Sequence, residues 1–134
     1  MKEYEILEHT TDLKIRAFGK TKEELFSNLL KGIFLAARPE IKDKIEKIKK
    51  VKIRSIDEQG LLVDFLSEAL TLSDINNEAY FEVRFKKLTE TELEAEILGQ
   101  SIKKFGLEIK AVTYHGLEIK KVRGLWEATV LFDI

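Results

Sequence analysis

The sequence contains no cysteine. Disulfide bridges, thiolate nucleophiles and cysteine-built zinc sites are therefore excluded outright. Histidine is almost as scarce, with two residues in 134. Two are too few for a histidine-built zinc site, although either could join carboxylates around a metal. Gly60, Gly99, Gly106, Gly116 and Gly124 stand alone, so no glycine-rich phosphate loop is present. Ser27, Ser55, Ser67, Ser73 and Ser101 all lack the surroundings of a nucleophile elbow. The apolar runs are too short to span a bilayer and no signal peptide opens the chain, which predicts a cytoplasmic protein with no membrane partner. Positive charge is not in excess either, since 23 Lys and Arg meet 24 Asp and Glu for a net charge of −1. That balance argues against nucleic-acid binding by bulk charge, because neutralising phosphates takes a basic surface.

What is present fits a globular chain. Apolar residues make up 44% of the 134 positions, enough to close a core without staples, and residues 1–134 read as one domain. Tyr4-Glu5-Ile6-Leu7 is a strand candidate. After the polar segment Glu8-His9-Thr10-Thr11-Asp12, the alternation of Leu13, Ile15 and Ala17 with Lys14 and Arg16 predicts a half-exposed strand ending at Gly19. Thr21 and Glu24 form a capping box. Leu25, Phe26, Leu29, Leu30, Ile33 and Phe34 then recur at helical spacing, so a helix is expected to about Ala37, stopped by Pro39. The charged residues 40–50, with Ile41, Ile45 and Ile48 interspersed, read as a loop.

Val51 to Ser55 restores strand alternation, and Asp57 is an N-cap for a second helix ending near Asn76-Asn77. Two antiparallel strands, Phe81–Lys86 and Glu92–Ile97, follow as a hairpin turning near Thr89-Glu90. Residues 99–106 read as a loop. The fold class expected is α+β, with a mixed or mostly antiparallel sheet of about seven to eight strands and two main helices on one side of it.

The end of the chain stands out. Residues 109–119 read as a strand and a tight corner at His115-Gly116. Trp126 to Ile134 then forms a closing strand with Trp126, Ala128, Val130 and Phe132 on one face. That strand finishes on Asp133 and the terminal carboxyl of Ile134, and uncompensated buried anions are costly. Asp12 and Asp133, with the Ile134 carboxyl, offer oxygen ligands suited to a hard cation such as Ca2+ or Mg2+. The ordinary alternative is that Asp12 caps a turn and Asp133 is a solvated end. His9 with its neighbouring carboxylates could bind metal or shuttle protons, or sit in a backbone-satisfying turn. Lys110 could meet an anion or pair with Asp133, or face solvent. Asp64 and Glu68, one helical turn apart, read as a solvated shoulder.

Four blocks together resemble the archease family: Glu8-His9-Thr10-x-Asp12-x-x-Ile15-x-Ala17-x-Gly19, Leu62-Val63-Asp64-Phe65-Leu66-x-Glu68, Ile109 through Leu117, and Phe132-Asp133-Ile134. The resemblance implies a small α+β protein with no catalytic residue of its own. It implies an accessory protein of tRNA splicing and RNA repair that activates the RtcB-type RNA ligase, promoting its guanylylation and multiple turnover. It also implies a divalent metal, Ca2+ with Mg2+ or Mn2+ as alternatives, held by Asp12, Asp133 and Ile134. His9, Lys110 and His115 fall at motif positions expected to contact the partner. Two other roles stand beside it. One is a chaperone or modulator of an RNA-modifying enzyme such as a tRNA methyltransferase. The other is a metal-dependent hydrolase acting through Asp12, His9 and Asp133.

Overall fold

The structure, a computed structural model, describes residues 2–8 and 12–134, with the main chain alone described at Glu8. The elements run β1 (Tyr4–Glu8), β2 (Asp12–Gly19), α1 (Lys22–Ala36), β3 (Pro39–Ile41), β4 (Lys47–Arg54), α2 (Glu58–Asn76), β5 (Glu78–Leu88), β6 (Glu92–Phe105), β7 (Ala111–Thr113), β8 (Ile119–Val122) and β9 (Leu125–Asp133). The nine strands among the described residues exceed the seven or eight expected, and they form two sheets, of five and four strands. Every pairing is antiparallel.

In the first sheet β9 pairs with β2 along its length, and β2 with β1. The short strands β7 and β8 share the other edge of β9, end to end. In the second sheet β6 pairs with β3, β4 and β5. Each helix touches strands of both sheets, α1 reaching β1, β2, β9 and β5, and α2 reaching β4, β5, β6 and β7. Two sheets thus take the place of the expected single one. The reason is visible in α1, where Leu25, Phe26, Leu29, Leu30, Ile33 and Phe34 are all buried. So wide an apolar surface needs cover from more than one direction. Phe26 stacks near Phe65 with ring centroids 6.1 Å apart, joining the helices, and Phe34 meets Tyr80 edge-on at 5.6 Å.

Both helix starts are the ones the capping residues announce. Thr21 Oγ1 accepts from the Glu24 amide at 3.1 Å, and Asp57 Oδ1 from the Gly60 amide at 2.7 Å. Asn77 ends α2 in the left-handed conformation at φ 54°.

Two segments differ from the sequence reading. Residues 40–50 are not one loop, because β3 occupies 39–41 and β4 begins at Lys47. Its inward position Lys49 carries no apolar side chain to signal a strand. Instead Lys49 Nζ lies 3.2 Å from Oε1 of Glu78, a carboxylate at 6% side-chain exposure. The Tyr80 hydroxyl donates to the same Glu78 oxygen at 2.7 Å. Burial first, and the Glu78 contact second, push the Tyr80 phenol far above its ordinary value. Residues 99–105 are likewise strand rather than loop. A Cβ at Gly99 would strike the backbone of Ala79 and Tyr80, where β5 and β6 close together at a register shift.

Gly99→Ala therefore forces β5 and β6 apart. Its urea midpoint should fall by the equivalent of about 1–3 kcal/mol, and an unchanged midpoint would show that the close approach is not a constraint.

Candidate metal-binding site

The site grows out of the β2–β9 pairing. Leu13, Ile15 and Ala17 face Phe132, Val130 and Ala128 across the ladder, and all six are buried. Side chains alternate along a strand, so the intervening residues point to the sheet's outer face. There Asp12 lies directly opposite Asp133. Asp133 also faces Ala111 of β7, and its main-chain oxygen accepts from the Lys110 amide at 2.8 Å. The final strand is therefore tied at its end from both sides.

Directly opposed residues in an antiparallel pair place their Cβ atoms about 4.5–5.5 Å apart, and like charges so placed are destabilising. Asp12 adds a second cost. Its Oδ1 is buried and has no hydrogen-bond partner among the described residues. An orphaned carboxylate oxygen facing a second carboxylate fits a hard cation, which would satisfy the first and screen the second. Ile134, half-buried and packed against the core, follows at once with its main-chain oxygen. No group of three or more His, Cys, Asp or Glu side chains that could hold a metal occurs among the described residues. The candidate oxygen donors are two aspartates and a main-chain group.

A pocket of about 300 Å³ opens beside Asp12, lined by Asp12, Lys14, His115, Gly116, Thr129 and Leu131. His115 reaches it from the turn after β7, where Leu117 donates its amide to the Tyr114 carbonyl at 3.0 Å and Gly116 takes φ 66°. Lys110 lines a separate cleft of about 610 Å³, between α2 and residues 105–112, with Ser67, Thr71 and Asp74. The two expected contact residues after β6 thus face different cavities, and the pairing of Lys110 with Asp133 runs through the main chain. His9, with Thr10 and Thr11, lies outside the described residues.

Asp64 is exposed and accepts from Ser55 Oγ at 2.5 Å, in keeping with a solvated shoulder. Trp126 packs against the core, with Lys22 Nζ 4.7 Å from its ring centroid. Strand alternation puts Lys14, two residues along β2, on the face of Asp12, and the register of β2 on β9 brings Thr129 to the same face.

Two helices in contact with two antiparallel sheets, with an oxygen-donor pair where the last strand meets the second, define a compact α+β class. The chain belongs to the archease family, its residues 4–134 matching the model of the Archease protein family (MTH1598/TM1083). It is 37% identical to the protein archease of Methanosarcina barkeri over 141 residues, covering 99% of this chain and 97% of the relative. The solution structure of Methanobacterium thermoautotrophicum protein 1598 is similar over the full length of both chains, with a TM-score of 0.71 and 26% identity. A Thermotoga maritima crystal structure described as an archease and possible chaperone matches with a TM-score of 0.69 and 25% identity, covering 96% of this chain and 94% of that one. Among the described residues no helix is long and apolar enough to cross a membrane.

Removing one of the facing charges should relieve the repulsion. In excess chelator, Asp133→Asn should raise the unfolding free energy by up to about 1 kcal/mol, read from urea titrations; a loss of stability would show that the two carboxylates do not oppose one another.

Proposed function

We propose that this archease is a non-catalytic, cation-binding activator of the RtcB-type RNA ligase that promotes the ligase's guanylylation and multiple turnover. The observation that carries the cation part is the register that sets Asp12 against Asp133, with a buried Asp12 oxygen left without a partner among the described residues. Family membership supports the ligase part.

Asp12, Asp133 and the main-chain oxygen of Ile134 would hold the ion. When bound, the ion supplies concentrated positive charge at the end of the β2–β9 pair. The chain's own residues position it. The buried inner faces of β2 and β9 fix the two aspartates opposite one another, and the Lys110 amide anchors the Asp133 carbonyl. His115 stands at the mouth of the adjoining pocket, where a partner surface would meet it. The family resemblance also assigns His9 a partner contact, by its position in the sequence motif.

A second reading is a chaperone or modulator of another RNA-modifying enzyme, such as a tRNA methyltransferase. The description of the Thermotoga relative as a possible chaperone favours it. Suppression of light scattering by unrelated aggregating proteins would support that reading. Phosphoester turnover by the protein alone would support the hydrolase reading.

Two measurements test the proposal. Calcium at about 100 times its dissociation constant should stabilise the wild type by about 2.7 kcal/mol through linkage, whereas Asp12→Ala and Asp133→Ala should gain little. The same two variants should lose most of the stimulation of ligase–GMP formation; full stimulation by both would remove the cation from the mechanism.

A further inference from the structure

On the outer face of the first sheet, two pairs of cross-strand neighbours carry opposite charge. Glu5 lies opposite Arg16, and Lys120 opposite Glu127. Lys14 instead has apolar neighbours on both sides, Leu7 on β1 and Leu131 on β9. It makes no ion pair among the described residues. Its place is the wall of the 300 Å³ pocket, next to Asp12, His115 and Thr129. The Thr129 hydroxyl is oriented as well. It accepts from Arg16 Nε at 3.2 Å, so its own proton points away from the guanidinium and is available as a donor.

The pocket is therefore lined by groups of opposite character. The Asp12 carboxylate makes its wall partly acidic, while Lys14, Thr129 and the His115 ring offer donors. A lone anion would be repelled by Asp12. A lone cation would leave Lys14 unmatched. A cation already carrying a phosphate satisfies both at once. Divalent ions of the magnesium type are commonly held this way, by one or two carboxylates plus the phosphate oxygens of a ligand. The volume, about 300 Å³, stands at the low end for small-molecule sites. It suits a phosphate group better than a whole nucleotide.

We infer that this pocket binds a divalent cation together with a phosphate group of a polyphosphate chain, with Lys14 and Thr129 as the phosphate-binding residues. The inference rests on the cation reading proposed above and adds the class of ligand that completes the ion's shell. The phosphate chain could be free polyphosphate or that of a nucleoside triphosphate.

The test is calorimetric and needs no partner enzyme. Inorganic triphosphate is titrated into wild-type protein in saturating Mg2+ and again in chelator, and the metal is titrated alone. Triphosphate should bind at least about ten-fold more tightly with the cation present, and Lys14→Gln should lose about ten-fold of that affinity, the loss of one charge-assisted contact. The same variant should bind the metal alone as the wild type does, and melt at the same temperature. ATP in a parallel titration separates the sources. Affinity equal to that of triphosphate assigns the site to the phosphate chain alone, tighter binding assigns it to a nucleotide, and either supports the shared chemistry. Metal binding with no triphosphate binding, or equal triphosphate binding by Lys14→Gln, overturns this inference and leaves the cation reading standing. Absence of metal binding by the wild type overturns the cation reading and this inference together.

Discussion

Burial on one face of a strand pair dictates what happens on the other. The inner faces of β2 and β9 carry Leu13, Ile15 and Ala17 against Phe132, Val130 and Ala128. Sliding either strand by one residue would turn all of these into solvent. Burying a Leu, Ile, Val or Phe side chain contributes about 1.5–3 kcal/mol, whereas opposing two carboxylates costs about 0.2–1 kcal/mol. Packing therefore wins over repulsion by a wide margin, and Asp12 is delivered to Asp133 whether or not the two acids attract. The carboxylate pair is a by-product of the core, held in place by energy that does not depend on any ion.

The second sheet solves a related problem differently. Glu78 is buried at 4% exposure, yet Lys49, Tyr80 and the α2 C-terminus surround it. Ser73 Oγ donates to the Glu78 main-chain oxygen at 2.5 Å, closing the junction between α2 and β5. That acid is satisfied within the chain, while the Asp12 oxygen finds no partner among the described residues. The contrast separates a carboxylate paired within the fold from one with a buried oxygen unpaired among the described residues.

Much of this architecture could be read from residue patterns. Thr21 and Asp57 marked the helix starts, and the alternation at Leu13–Ala17 and Trp126–Phe132 named the inward faces correctly. The archease resemblance held across the chain. Where the reading failed, the reason was a partner distant in sequence. Lys49 points inward because Glu78, a residue 29 positions away, awaits it. Gly99 sits within a long strand because the backbone of Ala79 needs the room its missing side chain leaves. The split into two sheets followed from the breadth of the buried surface on α1. Of the candidate site, Asp12 and Asp133 were legible as acids at suggestive places, and their direct opposition came from the register. Lys14 shares the face of Asp12 by strand alternation alone, whereas the placement of Thr129 on that face, and of Lys110 in a different cleft, depended on how each neighbouring strand pairs with β9.

The ladder between β2 and β9 joins residue 12 to residue 133, and so spans almost the whole chain. During synthesis, the early strand must wait for nearly every other residue to emerge before it can pair. Two lone acids on a growing chain have no shared grip on an ion. Any cation gripped by the two acids would therefore depend on this long-range pairing, and its binding would report that the two strands have met.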